Sequence, residues 1–306
     1  MAILILEKKD YSRKAIEIYQ KIDEVIFFDQ IIDNTKINVI ICRLSYNLSS
    51  KFLSVFKNLR YILSPTTGLN HIDLKYCKKK KIEVISFKNS KNLIENISST
   101  AELNFGLILQ LVRNLNQSIN STFKTKKFER DRFKGFELKN KVLGIIGFGR
   151  IGKKVFKYGK AFGMKILIND KKKLMKSSQV SLVNLLKNSD IISINANSKS
   201  SIINNKNIDK LKPNCYIINT SRGELVEEKA IYKALVKKKI SGYATDVLDF
   251  HYENNEISKS YIFKALKKKL NVIITPHIGG CTYDAMQSTE LILAKYFLKK
   301  VSKIYG

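Results

Sequence analysis

Short apolar runs alternate with amphipathic stretches along the whole chain. Ile3–Leu6, Val25–Phe28, Val39–Cys42, Tyr61–Leu63 and Ile82–Ile85 are too short for core helices and read as buried strands. Between them, Arg13–Ile22 and Lys51–Leu59 place apolar residues at helical spacing. A second series begins near residue 141. Its strands are Val142–Ile146, Lys165–Ile168, Ile191–Ile194, Cys215–Ile218, Gly242–Thr245 and Val272–Thr275, and its helices include Lys153–Phe162, Ser181–Leu186 and Glu228–Lys237. The alternation predicts β-α-β units and two parallel-sheet domains in succession.

Two long helices frame the second series. Ser98–Asn116 is apolar over most of its circumference, with Ser98 or Ser99 as cap and Glu102 in the first turn. Such a helix is expected to be buried between domains or subunits. Tyr283–Tyr305 reads as a helix that crosses back to the first domain.

Composition narrows the class. Hydrophobic residues make up 44% of the 306, enough for a packed core, and 14 Gly with 3 Pro exclude collagen-like and low-complexity chains. No apolar run approaches the ~20 residues that span a bilayer. Ile3–Leu6 is followed at once by Glu7-Lys8-Lys9-Asp10, so no secretory signal is expected. Cys42, Cys77, Cys215 and Cys281 form no C-x-x-C pair, which fits a reducing cytoplasm without disulfides or a metal site. The formal charge of +30 raises nucleic-acid binding as an alternative. However, only 8 of the 56 basic residues are Arg, and the lysines fall in short runs at helix ends and turns. Neither a specific nucleic acid nor a membrane is expected as partner, although the charge can draw in anionic substrates.

The candidate chemistry begins at the end of Val142–Ile146, which runs into Gly147-Phe148-Gly149-Arg150-Ile151-Gly152 and then a helix. Gly147 permits a tight turn, Gly149 lets a pyrophosphate approach the backbone, and Gly152 allows close helix–strand packing. Arg150 and Ile151 open the helix whose free N–H groups face the phosphates. Asp170 ends the next strand and can accept the ribose hydroxyls of an adenosine while repelling a 2′-phosphate. That favours NAD over NADP, whereas Lys171–Lys173 pull the other way. Asn219–Val226, Ala244–Leu248 and Thr275–Gly280 each include or follow a predicted strand end, where ligands bind in open α/β sheets. Arg222, Asp246 and His277 are therefore expected to converge on one cleft.

In these residues the sequence resembles the D-isomer-specific 2-hydroxyacid dehydrogenase family, including its phosphoglycerate dehydrogenases. The likeness covers nearly the whole chain, with Thr67-Gly68-Leu69-Asn70-His71-Ile72-Asp73 and Phe133-x-Gly135-x-Glu137-Leu138 as further motifs. The resemblance implies an α/β fold of two Rossmann-like domains with parallel sheets. A flavodoxin-like substrate domain would comprise 1–98 and 283–306, an NAD-binding domain 99–282, with substrate between them. It implies a cytoplasmic, homodimeric NAD-dependent oxidoreductase interconverting a 2-oxo acid and a D-2-hydroxy acid. Arg222 resembles the substrate arginine, His277 the general acid–base, and Asp246 the residue bonding the nicotinamide carboxamide. Thr220, Gly279 and Gly280 fall at cofactor positions, and Thr67 and Gly68 resemble the loop whose N–H groups grip the substrate carboxylate. Arg43 is similar to an arginine that phosphoglycerate dehydrogenases place near the substrate phosphate, which suggests an anionic substrate such as 3-phosphoglycerate.

The sequence departs from the family where a glutamate normally supports the catalytic imidazole. His251 occupies that position, leaving Glu253 as the preferred substitute and Asp249 or His251 as the others. Asn195 and Asn197 stand where the family commonly has His and Pro. The His251 departure motivates an alternative reading, an NAD(H)-binding regulatory protein without turnover.

Overall fold

The computed structural model describes residues 2–30, 33–174, 177–198, 200–249 and 256–305. Two compact units emerge, Met1–Ile97 with Cys281–Gly306, and Ser98–Gly280.

The first unit is built on β1 (Ala2–Ile5), β2 (Glu24–Phe27), β3 (Ile37–Ile41), β4 (Tyr61–Ser64) and β5 (Glu83–Ser86), all parallel in the order β2-β1-β3-β4-β5. Successive residues of β1 enter different cores: Ala2 and Leu4 one, Ile3 and Ile5 the other. Both faces are covered, which is why the central strands read as unbroken apolar runs. Helices α1 (Arg13–Gln20), α2 (Ser50–Leu53) and α3 (Leu74–Lys79) connect the strands. The predicted helix Lys51–Leu59 shrinks to α2, because Phe56 and Leu59 reach the core through successive turns, Phe56 N–H to Leu53 O and Leu59 N–H to Phe56 O, both at 3.2 Å.

The second unit opens with α4 (Ser99–Val112) and α5 (Leu115–Thr125). The sequence predicts one helix through Asn116; instead Asn114, at φ 52°, takes the left-handed conformation and separates two. Ala101, Phe105, Ile108 and Leu111 of α4 pack with Leu143, Ile145 and Ile218, so its apolar surface covers the sheet of its own unit. That sheet holds β6 (Val142–Ile146), β7 (Lys165–Asn169), β8 (Ile191–Ile194), β9 (Cys215–Asn219), β10 (Ile240–Thr245) and β11 (Val272–Ile274). All are parallel, in the order β11-β10-β9-β8-β6-β7. The winding reverses between β6 and β8, so the loops leaving their carboxyl ends part and open a crevice. Helices α6 (Arg150–Ala161), α7 (Leu182–Asn188), α8 (Glu228–Val236) and α9 (Tyr261–Lys267) complete the unit.

The last helix, α10 (Tyr283–Tyr305), belongs to the first unit, where Leu293, Ala294 and Phe297 join Ile3, Ile5, Ala15 and Tyr19. Glu290 on α10 is fully buried and accepts from Ser12 N–H and Arg43 Nε, each at 2.7 Å. Arg43 Nη2 lies 2.6 Å from the same carboxylate. Nη1 and Nη2 also reach Lys9 O and Asp10 O, each at 3.1 Å, and the guanidinium lies over the ring of Tyr11 at 5.1 Å. Burial raises the Glu290 pKa, while Ser12 N–H and Arg43 pull it back. Arg43 was expected at the distal end of a substrate; its guanidinium is instead taken up by its own unit. No helix among the described residues is long and apolar enough to cross a membrane.

Removing one partner of a buried pair strands the other charge. Arg43→Met is expected to lower the unfolding free energy by roughly 3 kcal/mol, read from urea denaturation; a loss below about 1 kcal/mol would place the pair among those that contribute little.

Candidate active site

At the crevice of the second sheet, Gly147 adopts φ 91° and donates its N–H to Asn169 O at 2.7 Å. A Cβ there would lie 2.8 Å from Ala196 Cα, so the turn requires glycine. Gly152 sits beneath it, where a Cβ would run into the Gly147 carbonyl. Gly149 differs: a Cβ would meet nothing within 4 Å, and α6 starts behind it without a side-chain cap. Arg150 is the first residue of α6, and Ile151 packs on the core. Asp170 closes the arrangement from the end of β7, accepting from Phe148 N–H at 2.6 Å and Lys172 N–H at 2.8 Å. Each carboxylate oxygen keeps a lone pair for a further donor.

Asp246 follows β10, is 2% exposed, and organises the loop that carries His277. Its Oδ1 accepts from Thr275 Oγ1 at 2.6 Å and Ile278 N–H at 2.8 Å, and its Oδ2 accepts from Gly279 N–H at 2.7 Å. Between these anchors His277 is held at φ 56°, a left-handed conformation costly for a side-chain-bearing residue. Desolvation lowers the His277 pKa; Asp246 opposes that shift and Arg222 adds to it. Arg222 and His277, 55 positions apart in the sequence, thus share one electrostatic environment.

Arg222 leaves β9 on a loop tied to β8 through Ser221 Oγ and Ile194 O at 2.9 Å. Its Nη1 donates to Ser221 O at 2.6 Å, and its carbonyl accepts from Asn219 Nδ2 at 2.8 Å. Among the described residues, its Nε and Nη2 donors have no partner. The guanidinium therefore keeps donors for a ligand, unlike that of Arg43.

A buried polar chain runs behind these loops. Asn195 Nδ2 donates to Ser193 Oγ, Ser193 Oγ to Asn104 Oδ1, and Asn104 Nδ2 to Thr220 Oγ1, each at 2.9 Å. Thr220, expected at the cofactor, accepts here through its hydroxyl oxygen. Sequence reasoning missed Asn104 and Ser193, although an asparagine inside so apolar a helix was a usable signal. Gly279 gives its N–H to Asp246 and its carbonyl to Thr100 Oγ1 at 3.0 Å, while Gly280 remains open around its Cα.

In the first unit, Thr67 and Gly68 follow β4, half-buried. Their N–H groups have no partner among the described residues. Glu253 and His251 lie outside the described residues. Asp249 gives its N–H to Glu228 Oε1 at 3.2 Å.

The sequence model of the D-isomer specific 2-hydroxyacid dehydrogenase, NAD binding domain, matches residues 105–279. The chain belongs to that family. It is an NAD-dependent oxidoreductase, and 105–279 is its NAD binding domain. The chain is 33% identical over 272 residues to a hydroxypyruvate reductase of Thermotoga maritima, covering 87% of this chain and 85% of that protein. It is 30% identical to a D-lactate dehydrogenase from Aquifex aeolicus solved with NAD and lactic acid, with a TM-score of 0.76 over 100% of this chain and 95% of that one. A D-lactate dehydrogenase from Treponema pallidum, 21% identical, shares the fold at a TM-score of 0.80, covering 99% and 97% of the two chains.

The dehydrogenase's glycine turn fits the cofactor. Open space at Gly149, an uncapped helix start and the Asp170 carboxylate suit a pyrophosphate followed by a ribose. Gly149→Ala is expected to leave the urea midpoint unchanged, since its methyl meets no protein atom, and to weaken NADH binding by roughly tenfold or more. Fluorescence titration checks it, and equal affinity would remove Gly149 from the phosphate site.

Proposed function

We propose that this dehydrogenase interconverts a short 2-oxo acid, of pyruvate or hydroxypyruvate size, with its D-2-hydroxy acid. The observation that carries the reading is that Arg222, with unused donors, and His277, on a loop fixed by Asp246, both stand at the carboxyl edge of one parallel sheet. Hydroxypyruvate reductase and D-lactate dehydrogenase among the relatives support the size of the substrate. A phosphorylated substrate loses its main support, because the Arg43 guanidinium is spent on Glu290, Lys9 and Asp10.

Arg222 holds the substrate carboxylate and polarises the keto oxygen with its planar guanidinium. In the first unit, Thr67 and Gly68 add backbone N–H groups to the carboxylate. Asp170 receives the adenosine ribose, and the start of α6, with Gly149, Arg150 and Ile151, receives the pyrophosphate. Asp246 and Gly280 line the nicotinamide end. The chemistry that NAD supplies when bound is hydride transfer to or from C2. His277 gives a proton to the carbonyl oxygen in reduction and removes it from the hydroxyl in oxidation. Among the described residues neither ring nitrogen of His277 has a hydrogen-bond partner, so one is open to a support from 250–255, of which Glu253 is the carboxylate.

A homodimer through α5 and the segment after it fits the exposed apolar side chains Ile119, Phe123, Phe128 and Phe136, with Phe128 98% exposed. Phe123→Asp combined with Phe128→Asp is expected to yield monomers in sedimentation; an unchanged oligomer would move the interface elsewhere.

Reduction needs the imidazolium. Because the His277 pKa lies below its ordinary value, kcat/KM for reduction falls as pH rises through a midpoint below about 6.5, and oxidation gains over the same range. If Glu253 stabilises the imidazolium, Glu253→Gln moves that midpoint lower still; an identical profile eliminates Glu253 as partner. Arg222→Gln is expected to cost on the order of 100-fold in kcat/KM, with NADH affinity kept.

A further inference from the structure

The Gly68 carbonyl ends a chain of three hydrogen bonds that starts at His71. Thr66 Oγ1 donates to Gly68 O at 2.7 Å. A hydroxyl has a single proton, so Thr66 Oγ1 must accept in its 2.9 Å contact with Ser64 Oγ. Ser64 has then committed its own proton. In its 3.3 Å contact with His71 Nε2 it must accept, which makes that nitrogen the N–H of the ring. Desolvation holds the His71 pKa down at about 4, so the ring is neutral and this single tautomer suffices. The buried Cys42 Sγ lies 3.7 Å from the same nitrogen and stays a thiol, its pKa pushed up by burial. The backbone is anchored on both sides: Leu48 N–H donates to His71 O at 2.7 Å and Phe87 N–H to Thr66 O at 3.0 Å. The N–H groups of Thr67 and Gly68 lie between these anchors, without partners among the described residues.

We propose that His71 is a positioning residue for the substrate carboxylate: through Ser64 and Thr66 it pins the Gly68 carbonyl, keeping the N–H groups of Thr67 and Gly68 as a preformed pair of donors. The proposal rests on the reading that those two groups bind the carboxylate. All protons in the chain run one way, so each bond polarises the next. Loss of the first donor leaves Ser64 free to turn its proton elsewhere. The loop must then be ordered by the substrate at the moment of binding.

The test is steady-state reduction of pyruvate and hydroxypyruvate at saturating NADH, with NADH affinity measured separately. His71→Ala is expected to raise the KM for the 2-oxo acid on the order of tenfold, with a much smaller change in kcat and none in NADH affinity. His71→Gln, whose amide N–H can donate to Ser64, is expected to restore KM. A folded His71→Ala enzyme with the original KM overturns the proposal. If His71→Ala does not fold, Ser64→Ala breaks the same chain one link on and must raise KM in the same way; an unchanged KM there overturns it equally. Thr67→Pro, which deletes one of the two N–H donors, separates this inference from the reading beneath it. A raised KM in Thr67→Pro with none in His71→Ala sinks only the role of His71, whereas an unchanged KM in Thr67→Pro sinks the carboxylate reading and the proposal with it.

Discussion

The Asp246 carboxylate governs the loop that carries His277 twice over. Geometrically, it gathers a hydroxyl and two backbone N–H groups from Thr275–Gly279 and so fixes a left-handed His277. That conformation costs about 1–3 kcal/mol, and hydrogen bonds to a charged acceptor contribute roughly 1.5–3 kcal/mol each, enough to hold it. Electrostatically, the same carboxylate counters the desolvation and the Arg222 charge that disfavour imidazolium. Position and proton affinity of the ring therefore depend on one buried side chain.

The parallel sheet explains why the candidate groups gather on one edge without being neighbours in the chain. Every strand of the second unit points its carboxyl end the same way, so the loops after β6, β7, β8, β9, β10 and β11 emerge on one edge. The Asn195–Ser193–Asn104–Thr220 chain then locks two of those loops to α4 from behind. A hydrogen-bonded polar chain in an apolar core fixes relative position more narrowly than packing alone.

What the sequence discloses follows from which constraints are local. Gly147 and Gly152 are legible because a turn and a close approach each demand the absence of a side chain. The central strands are legible because burial on both faces leaves unbroken apolar runs. Arg222, Asp246 and His277 are legible because each stands just beyond such a run. Arg43 also stands just beyond a strand, and nothing near it distinguishes ligand binding from structure; the deciding partner, Glu290, is 247 residues away. The Asn104–Thr220 contact spans 116 residues and is hidden for the same reason. The break at Asn114 escapes notice because the apolar pattern continues through it, and only the backbone reverses.

The last helix gives the two units different histories during synthesis. Everything in the second unit precedes residue 281, so its core can close as soon as it clears the ribosome. In the first unit, the layer around Ile3, Ile5 and Tyr19 lacks Leu293, Ala294, Phe297 and Val301 until the whole second unit has been translated. One face of its sheet must wait, apolar and uncovered, through the making of almost two hundred intervening residues. The unit that begins first is completed last.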